Sequence, residues 1–387
     1  MKISKSQTSI STYQQDSNPN PSRIRLARLS RGYSIGEMAI QLDLDRRTIS
    51  GYESGEIRPS IQSTQRMALI LDHPVEFFYG PDLETPPIES VSFRALSRMS
   101  ATDRDMALAQ SAKGINVGEW ISENFSTPPI DLPNLTVSDG NLETAAGVLR
   151  SYWGLGERPI KNIIHLLESK GIRVFSLALE TSSVDAFSLW KRDVPIIFLN
   201  TLKSAERSRF DAAHELAHLM LHTHGEVTGR EAENEANAFA SAFLMPADAI
   251  RDNAPVIPSL ENYIRLKKRW NVSLAAIVYR AHHLGILSDW NYRALYREIS
   301  IKGFRTKEPE PSMREQSLVS EKILNILEAR GDSIEELSQL LKLPSSDLQS
   351  LLFLRTLNRT NFEILENPNA KTSTRKAEGI PNLKLVD

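Results

Sequence analysis

The segment Arg209–His222, R-F-D-A-A-H-E-L-A-H-L-M-L-H, places two histidines four residues apart in a run with no helix breaker. Ala212, Ala213, Leu216, Ala217, Leu219, Met220 and Leu221 all favour helix. Positions i and i+4 share one helical face, about 6 Å apart along the axis. His214 and His218 can therefore offer ring nitrogens to one metal ion, and Glu215 can reach a metal-bound water as its base. A hydrolytic site also needs a third protein ligand and an open coordination position. The following segment, Arg230–Pro246, reads as a second helix, with Ala232, Ala236, Phe239, Ala240 and Phe243 as an apolar stripe and Pro246 at its end. Its acids are Glu231, Glu233 and Glu235. Glu233 and Asn237 share a face, which makes Glu233 the expected ligand and Asn237 the expected hydrogen-bond partner of a ligand histidine. Glu235 points about 200° away from Glu233, so only one of the two can be the ligand. His222, four residues past His218, is a further candidate partner, and His224 lies near it in sequence. His282 and His283 read as surface or interface residues, and Tyr279 is a candidate oxyanion donor that the sequence does not fix.

The strings A-H-E-L-A-H-L-M-L-H and E-N-E-A-N-A-F-A-S-A-F-L-M-P resemble the ImmA/IrrE family of zinc-dependent endopeptidases, over roughly residues 140–305. The family's E-x-x-A-N pattern falls on Glu233, Ala236 and Asn237. The resemblance implies a zincin-like domain with Zn2+ on His214, His218 and Glu233 and with Glu215 as catalytic base. It also implies cleavage of one partner repressor at one site, in mobile-element or stress responses.

A second block lies near the N-terminus. Pro21–Arg31 reads as a helix; Ser34 and Glu37 form a capping box for a second; Asp43-Leu44-Asp45 is a turn; Arg46–Ser54 is a third helix stopped by Gly55. Ser60–Leu71 is a fourth, and Pro74–Tyr79 starts a fifth. The string S-I-G-E-M-A-I-Q-L-D-L-D-R-R-T-I-S-G-Y-E-S-G resembles the phage-repressor (Xre-like) helix-turn-helix domain. By that resemblance Arg46, Arg47, Thr48, Ser50 and Gly51 lie on or near the DNA-reading face, Ile49 and Tyr52 pack inside, and Glu53 is structural. Two positions depart from the pattern: Ile35 stands where Gln is common, and Asp43 where the turn glycine is common. From Pro21 to Ser60 seven arginines face five acids, a net of +2, which is a modest electrostatic footprint.

The 387 residues suggest two to three domains. Residues 1–20, rich in Ser, Gln, Asn and Thr, read as a disordered tail. Residues 21–82 form the helix-turn-helix domain, 83–140 a linker and connecting helix (Arg104–Phe125), 141–305 the peptidase domain, 306–316 a linker with Glu308-Pro-Glu-Pro311, and 317–387 a small helical module and tail. Strands are expected at Ile172–Leu179, Val184–Trp190 and Pro195–Leu199, so the fold class is mainly α with a small β-sheet (α+β). Net charge of −2 excludes bulk affinity for polyanions and requires a local basic patch for nucleic acid. No cysteine is present, which excludes disulfides and thiolate zinc sites and fits a cytoplasmic setting. No apolar run is long enough to span a bilayer, so no membrane partner is expected. The sequence thus points to a DNA-binding zinc endopeptidase that regulates transcription or a mobile-element, stress or toxin–antitoxin response. Its partners would be an operator, read as an inverted repeat by a homodimer, and a repressor or toxin encoded nearby. The alternative is a transcriptional regulator or antitoxin whose peptidase fold only binds a partner or ligand.

Overall fold

The computed structural model describes residues 18–87, 99–134, 141–177, 186–222, 229–354 and 384–385. These residues are mainly helical with one small mixed sheet. The expected tails, the segment Val91–Ala95, and the stretches 178–185 and 223–228 lie wholly or partly outside the described residues.

The N-terminal unit comprises α1 (Pro21–Ser30), α2 (Ile35–Leu42), α3 (Arg46–Ser54), α4 (Ile61–Ile70) and a 3-10 turn at Val75–Tyr79. Each α-helix starts on a side chain that accepts a backbone N–H: Asn20, Ser34, Asp45 and Ser60. The Ser34–Glu37 capping box is complete. Asp43 takes the left-handed conformation at φ 57°, and Gly55 ends α3 at φ 80°. Ile24, Ala27, Met38, Ile49, Met67, Phe77 and Phe78 fill the core of this unit.

The long helix α5 (Ala101–Asn124) spans about 36 Å at 1.5 Å per residue. One side packs on α1, the other on the sheet. Strands β2 (Arg173–Ser176), β3 (Ala186–Lys191) and β4 (Val194–Leu199) stand in the order β2-β4-β3, with β2 parallel and β3 antiparallel to β4. Both faces are covered. Phe175, Phe187, Leu189, Ile196 and Phe198 join the core on the α5 side; Val174, Ala186, Ile197 and Leu199 join the core around the histidine helix. Burial on two faces explains why these strands read as apolar runs rather than polar alternation. Gly114 permits the contact, since a Cβ there would lie 2.6 Å from the Phe198 ring.

Behind the sheet come α6 (Leu142–Tyr152), α7 (Ile163–Ser169), α8 (Ala205–Leu221), α9 (Gly229–Leu244), α10 (Ala247–Asn253), α11 (Leu260–Trp270), α12 (Leu274–His283) and α13 (Asp289–Ile301). The short helix α10 is absent from the sequence reading; Pro246 closes α9 and also opens α10, because proline lacks the N–H that a first turn leaves unpaired anyway. The stretch 306–316 runs along the body rather than free of it. Glu308 accepts from the N–H of Leu274, Glu315 from those of Ile163 and Ile164, and the N–H of Ser312 donates to Glu206. The C-terminal helices are α14 (Leu318–Arg330), α15 (Ile334–Leu341) and α16 (Ser345–Leu351). Two residues of the expected tail, β5 (Lys384–Leu385), pair antiparallel with β1 (Phe125–Ser126). Among the described residues no helix is long and apolar enough to cross a membrane.

A buried ionic cluster joins the three helical regions. Asp347 on α16 receives Lys113 Nζ from α5 at 2.5 Å and Arg31 Nη1 from the end of α1 at 2.8 Å. Lys113, fully buried, also donates to Ser30 Oγ at 2.9 Å and to His73 Nε2 at 3.0 Å. Burial alone would raise the Asp347 carboxyl, but the charges of Lys113 and Arg31 outweigh it and hold the group below the ordinary carboxylate range. A carboxyl depressed by folding stabilises fully above its unfolded pKa of about 4, and that stabilisation is lost as pH falls below it. Asp347→Ala is expected to cost about 3–5 kcal/mol, because it strands Lys113 without a counter-charge. Denaturant titrations should show this loss at pH 7 and a difference from wild type that shrinks progressively as pH falls from about 4 toward the depressed folded-state value. Equal stability at pH 7 would mean that the cluster does not bind the three regions together.

Candidate metal centre and DNA-facing surface

The rotation of α8 is fixed by its buried face, where Ala212, Ala213, Leu216, Ala217 and Leu219 enter the core. α9 lies beside it with Ala236, Phe239, Ala240 and Phe243 buried. The two packings turn His214, His218 and Glu233 toward one point. His214 Nε2 and His218 Nε2 stand 3.1 Å apart, and the Glu233 carboxylate lies 3.4 Å from the first and 3.3 Å from the second. One donor atom from each residue falls within 4.8 Å of the others, and no other His/Cys/Asp/Glu trio among the described residues does this. Ligands about 2.05 Å from a tetrahedral ion are separated by about 3.3 Å, so the spacing fits zinc. Burial opposes ionisation of Glu233, but the two imidazoles outweigh it and hold its carboxyl well below the ordinary range. Burial lowers His214, yet its contact with Glu233 wins and raises it. The cluster draws positive charge.

Each imidazole is held on its outer nitrogen as well. His214 Nδ1 lies 3.1 Å from Asn237 Oδ1. His218 Nδ1 lies 2.9 Å from His222 Nδ1, and His222 Nε2 lies 3.0 Å from Glu235 Oε2. Glu233 and Glu235 thus serve different histidines, and Glu231 is exposed. Burial lowers His222, against the opposing pull of Glu235, and favours its neutral ring.

Glu215, on α8, is 2% exposed and its carboxylate meets β3. Ser188 Oγ donates to Glu215 Oε2 at 2.7 Å, and the Trp190 indole N–H donates to Leu219 O at 3.2 Å. Ser188 was not singled out in the sequence. Its signal is a hydroxyl in alternation with Ala186 and Trp190 on a buried strand face. Tyr279 is half exposed and stacks on His283, while His282 pairs with Asp289 at 2.7 Å and stacks on Tyr292. His224 lies outside the described residues.

On the N-terminal unit Arg46, Arg47 and Ser50 are exposed and Thr48 is partly so. Gly51 is buried instead: a Cβ there would meet Ile57 Cδ1 at 2.5 Å, so the glycine lets Ile57 close over α3. Glu53 is bound on both oxygens by Arg28, at 2.5 and 2.8 Å. Three of the seven arginines between Pro21 and Ser60 face inward: Arg23 on Pro81 O, Arg28 on Glu53 and Arg31 on Asp347. Arg25, Arg46, Arg47 and Arg58 remain exposed. Gly36 lies under the Arg46 guanidinium, where a Cβ would come within 2.8 Å of Nη2.

Comparison with protein families agrees with the two motif resemblances. Residues 167–282 match the IrrE N-terminal-like domain of the M78 peptidases, a shorter span than 140–305. Residues 24–78 match the helix-turn-helix family. The chain therefore joins a DNA-binding helix-turn-helix domain to a metallopeptidase-type domain. No curated protein matches it.

Ser188→Ala removes one donor from a buried carboxylate, and a loss of about 1–3 kcal/mol is expected. Metal content should not change, because Ser188 is not in the converging trio. A stability within error of wild type would show that the Ser188 contact does not hold Glu215.

Proposed function

We propose that this chain is a DNA-binding, zinc-dependent endopeptidase that cuts one partner protein, a repressor or toxin encoded nearby, at one site. The observation that carries the proposal is the convergence of His214, His218 and Glu233, with Glu215 next to His214 in the same helix. M78 peptidases are typically zinc-dependent, and the trio's spacing suits that ion. Zinc held by the three residues would supply a water of lowered pKa and polarise the peptide carbonyl. Glu215 then takes a proton from the attacking water and returns it to the leaving amine. Ser188 fixes the carboxylate for this task. Among the described residues β3 pairs only with β4, so its outer edge can hold an extended substrate through main-chain hydrogen bonds.

The helix-turn-helix unit places the enzyme at an operator, an inverted repeat read by two copies. Arg46 and Arg47 reach toward base edges or phosphates, with Thr48 and Ser50 beside them. A second reading is favoured by the burial of Glu215: the peptidase fold binds a partner or ligand without cutting it.

Purified protein should carry about one zinc per chain. His214→Ala and His218→Ala should lose it, and Glu233→Gln should weaken it more than Glu215→Gln does. Incubation with the neighbouring gene's product should give a single cut, abolished by chelation and by Glu215→Gln. A zinc-loaded protein that holds the partner intact, with an unchanged cellular phenotype in Glu215→Gln, would leave the binding-only reading standing.

Arg46→Ala and Arg47→Ala should weaken operator binding by about 1–3 kcal/mol for whichever reads a guanine. An equal loss on all sequences would assign that arginine to phosphate. No salt-sensitive binding to its own promoter at low salt would make the unit a protein-contact module.

A further inference from the structure

We infer that His222 and Glu235 form a positioning pair that presets His218 as a ligand through Nε2. The inference rests on the metal-site reading above and concerns how that site is prepared. A carboxylate has no proton to give, so across the 3.0 Å contact the proton lies on His222 Nε2. A neutral imidazole carries one N–H, which leaves His222 Nδ1 as a bare acceptor. That acceptor lies 2.9 Å from His218 Nδ1, so His218 carries its proton on Nδ1. The lone pair of His218 is then on Nε2, the nitrogen that faces His214 Nε2 and Glu233. Each tautomer in the chain follows from the one before it, starting at Glu235.

His214 reaches the same state by a shorter route. Asn237 Oδ1 can only accept, so His214 Nδ1 donates and its Nε2 is bare. Two lone pairs and a carboxylate oxygen are thereby aimed at one point before any ion arrives. The two supports differ in origin. Asn237 belongs to α9 alone, whereas His222 closes α8 and is anchored to α9 by Glu235. The pair therefore also ties the end of the ligand helix to the start of the helix that carries Glu233.

The test is zinc affinity of the full-length protein, measured by competition with a chromophoric chelator, with the thermal melt of each metal-free variant as a control. His222→Ala and Glu235→Ala should each weaken zinc by about 10–100-fold, the usual effect of removing a partner of a metal-bound histidine. The double variant should be no weaker than His222→Ala, because Glu235 acts through His222. His222→Asn places an amide oxygen near the former Nδ1. It should recover most of the affinity lost in His222→Ala, and it should no longer respond to Glu235→Ala. Affinity in His222→Ala within twofold of wild type would overturn the pair, as would losses that multiply in the double variant. If His222→Ala does not fold, Glu235→Ala alone and His222→Asn decide by the same criteria. Wild-type protein that takes up no zinc would overturn the metal centre itself, an outcome separate from zinc held equally by wild type and variants.

Discussion

Two imidazole nitrogens and a carboxylate do not gather within 3.1–3.4 Å of one another on their own account. Their lone pairs repel, and each would be better hydrated apart. What holds them is the packing of α8 against α9, which buries alanines and leucines of α8 and alanines and phenylalanines of α9 and leaves neither helix free to rotate. The small residues Ala213, Ala217, Ala236 and Ala240 matter most, because close helix contact is what brings these side chains from two helices to one point. Stability supplied by the core is thus stored at the site as a cluster that favours positive charge.

The same packing explains what could be read in advance. The H-E-x-x-H spacing and the i, i+4 relation of Glu233 to Asn237 are properties of single helices, so periodicity alone places those side chains on the proper faces. The outer contacts are not of that kind. Ser188 reaches Glu215 because β3 happens to lie against α8, and Glu235 reaches His222 because of how α9 is set beside α8. Both depend on tertiary placement. By spacing alone Glu235 is excluded as the ligand once Glu233 is chosen, and His222 is a candidate partner without a partner of its own; the helix angle that turns Glu235 away from Glu233 is also what brings it to that histidine.

In the N-terminal unit the turn chemistry at Ser34, Asp43 and Gly55 marked the helix ends almost to the residue, since caps and left-handed positions are local demands. The charge count was less informative. A net of +2 says nothing of which arginines face solvent, and the fold directs Arg23, Arg28 and Arg31 inward. Gly51 shows the same limit: it follows the exposed Ser50 on α3, but Ile57, six residues on, folds back over it. The cluster at Asp347 joins residues 316 positions apart and left no mark that spacing could reveal.

The arginines of the N-terminal unit divide into two sets that share no member. Arg23, Arg28 and Arg31 anchor the unit to itself and to the rest of the chain, while Arg46 and Arg47 face outward on α3. Lineages carrying this architecture can therefore change the outward set without loosening the attachment of the helix-turn-helix unit to the body. The attachment, in contrast, involves α1, α5 and α16 at once and can drift only by concerted change. Divergence among descendants should be fast at one end of this small domain and slow at the other, with the boundary running between helices only a few residues apart.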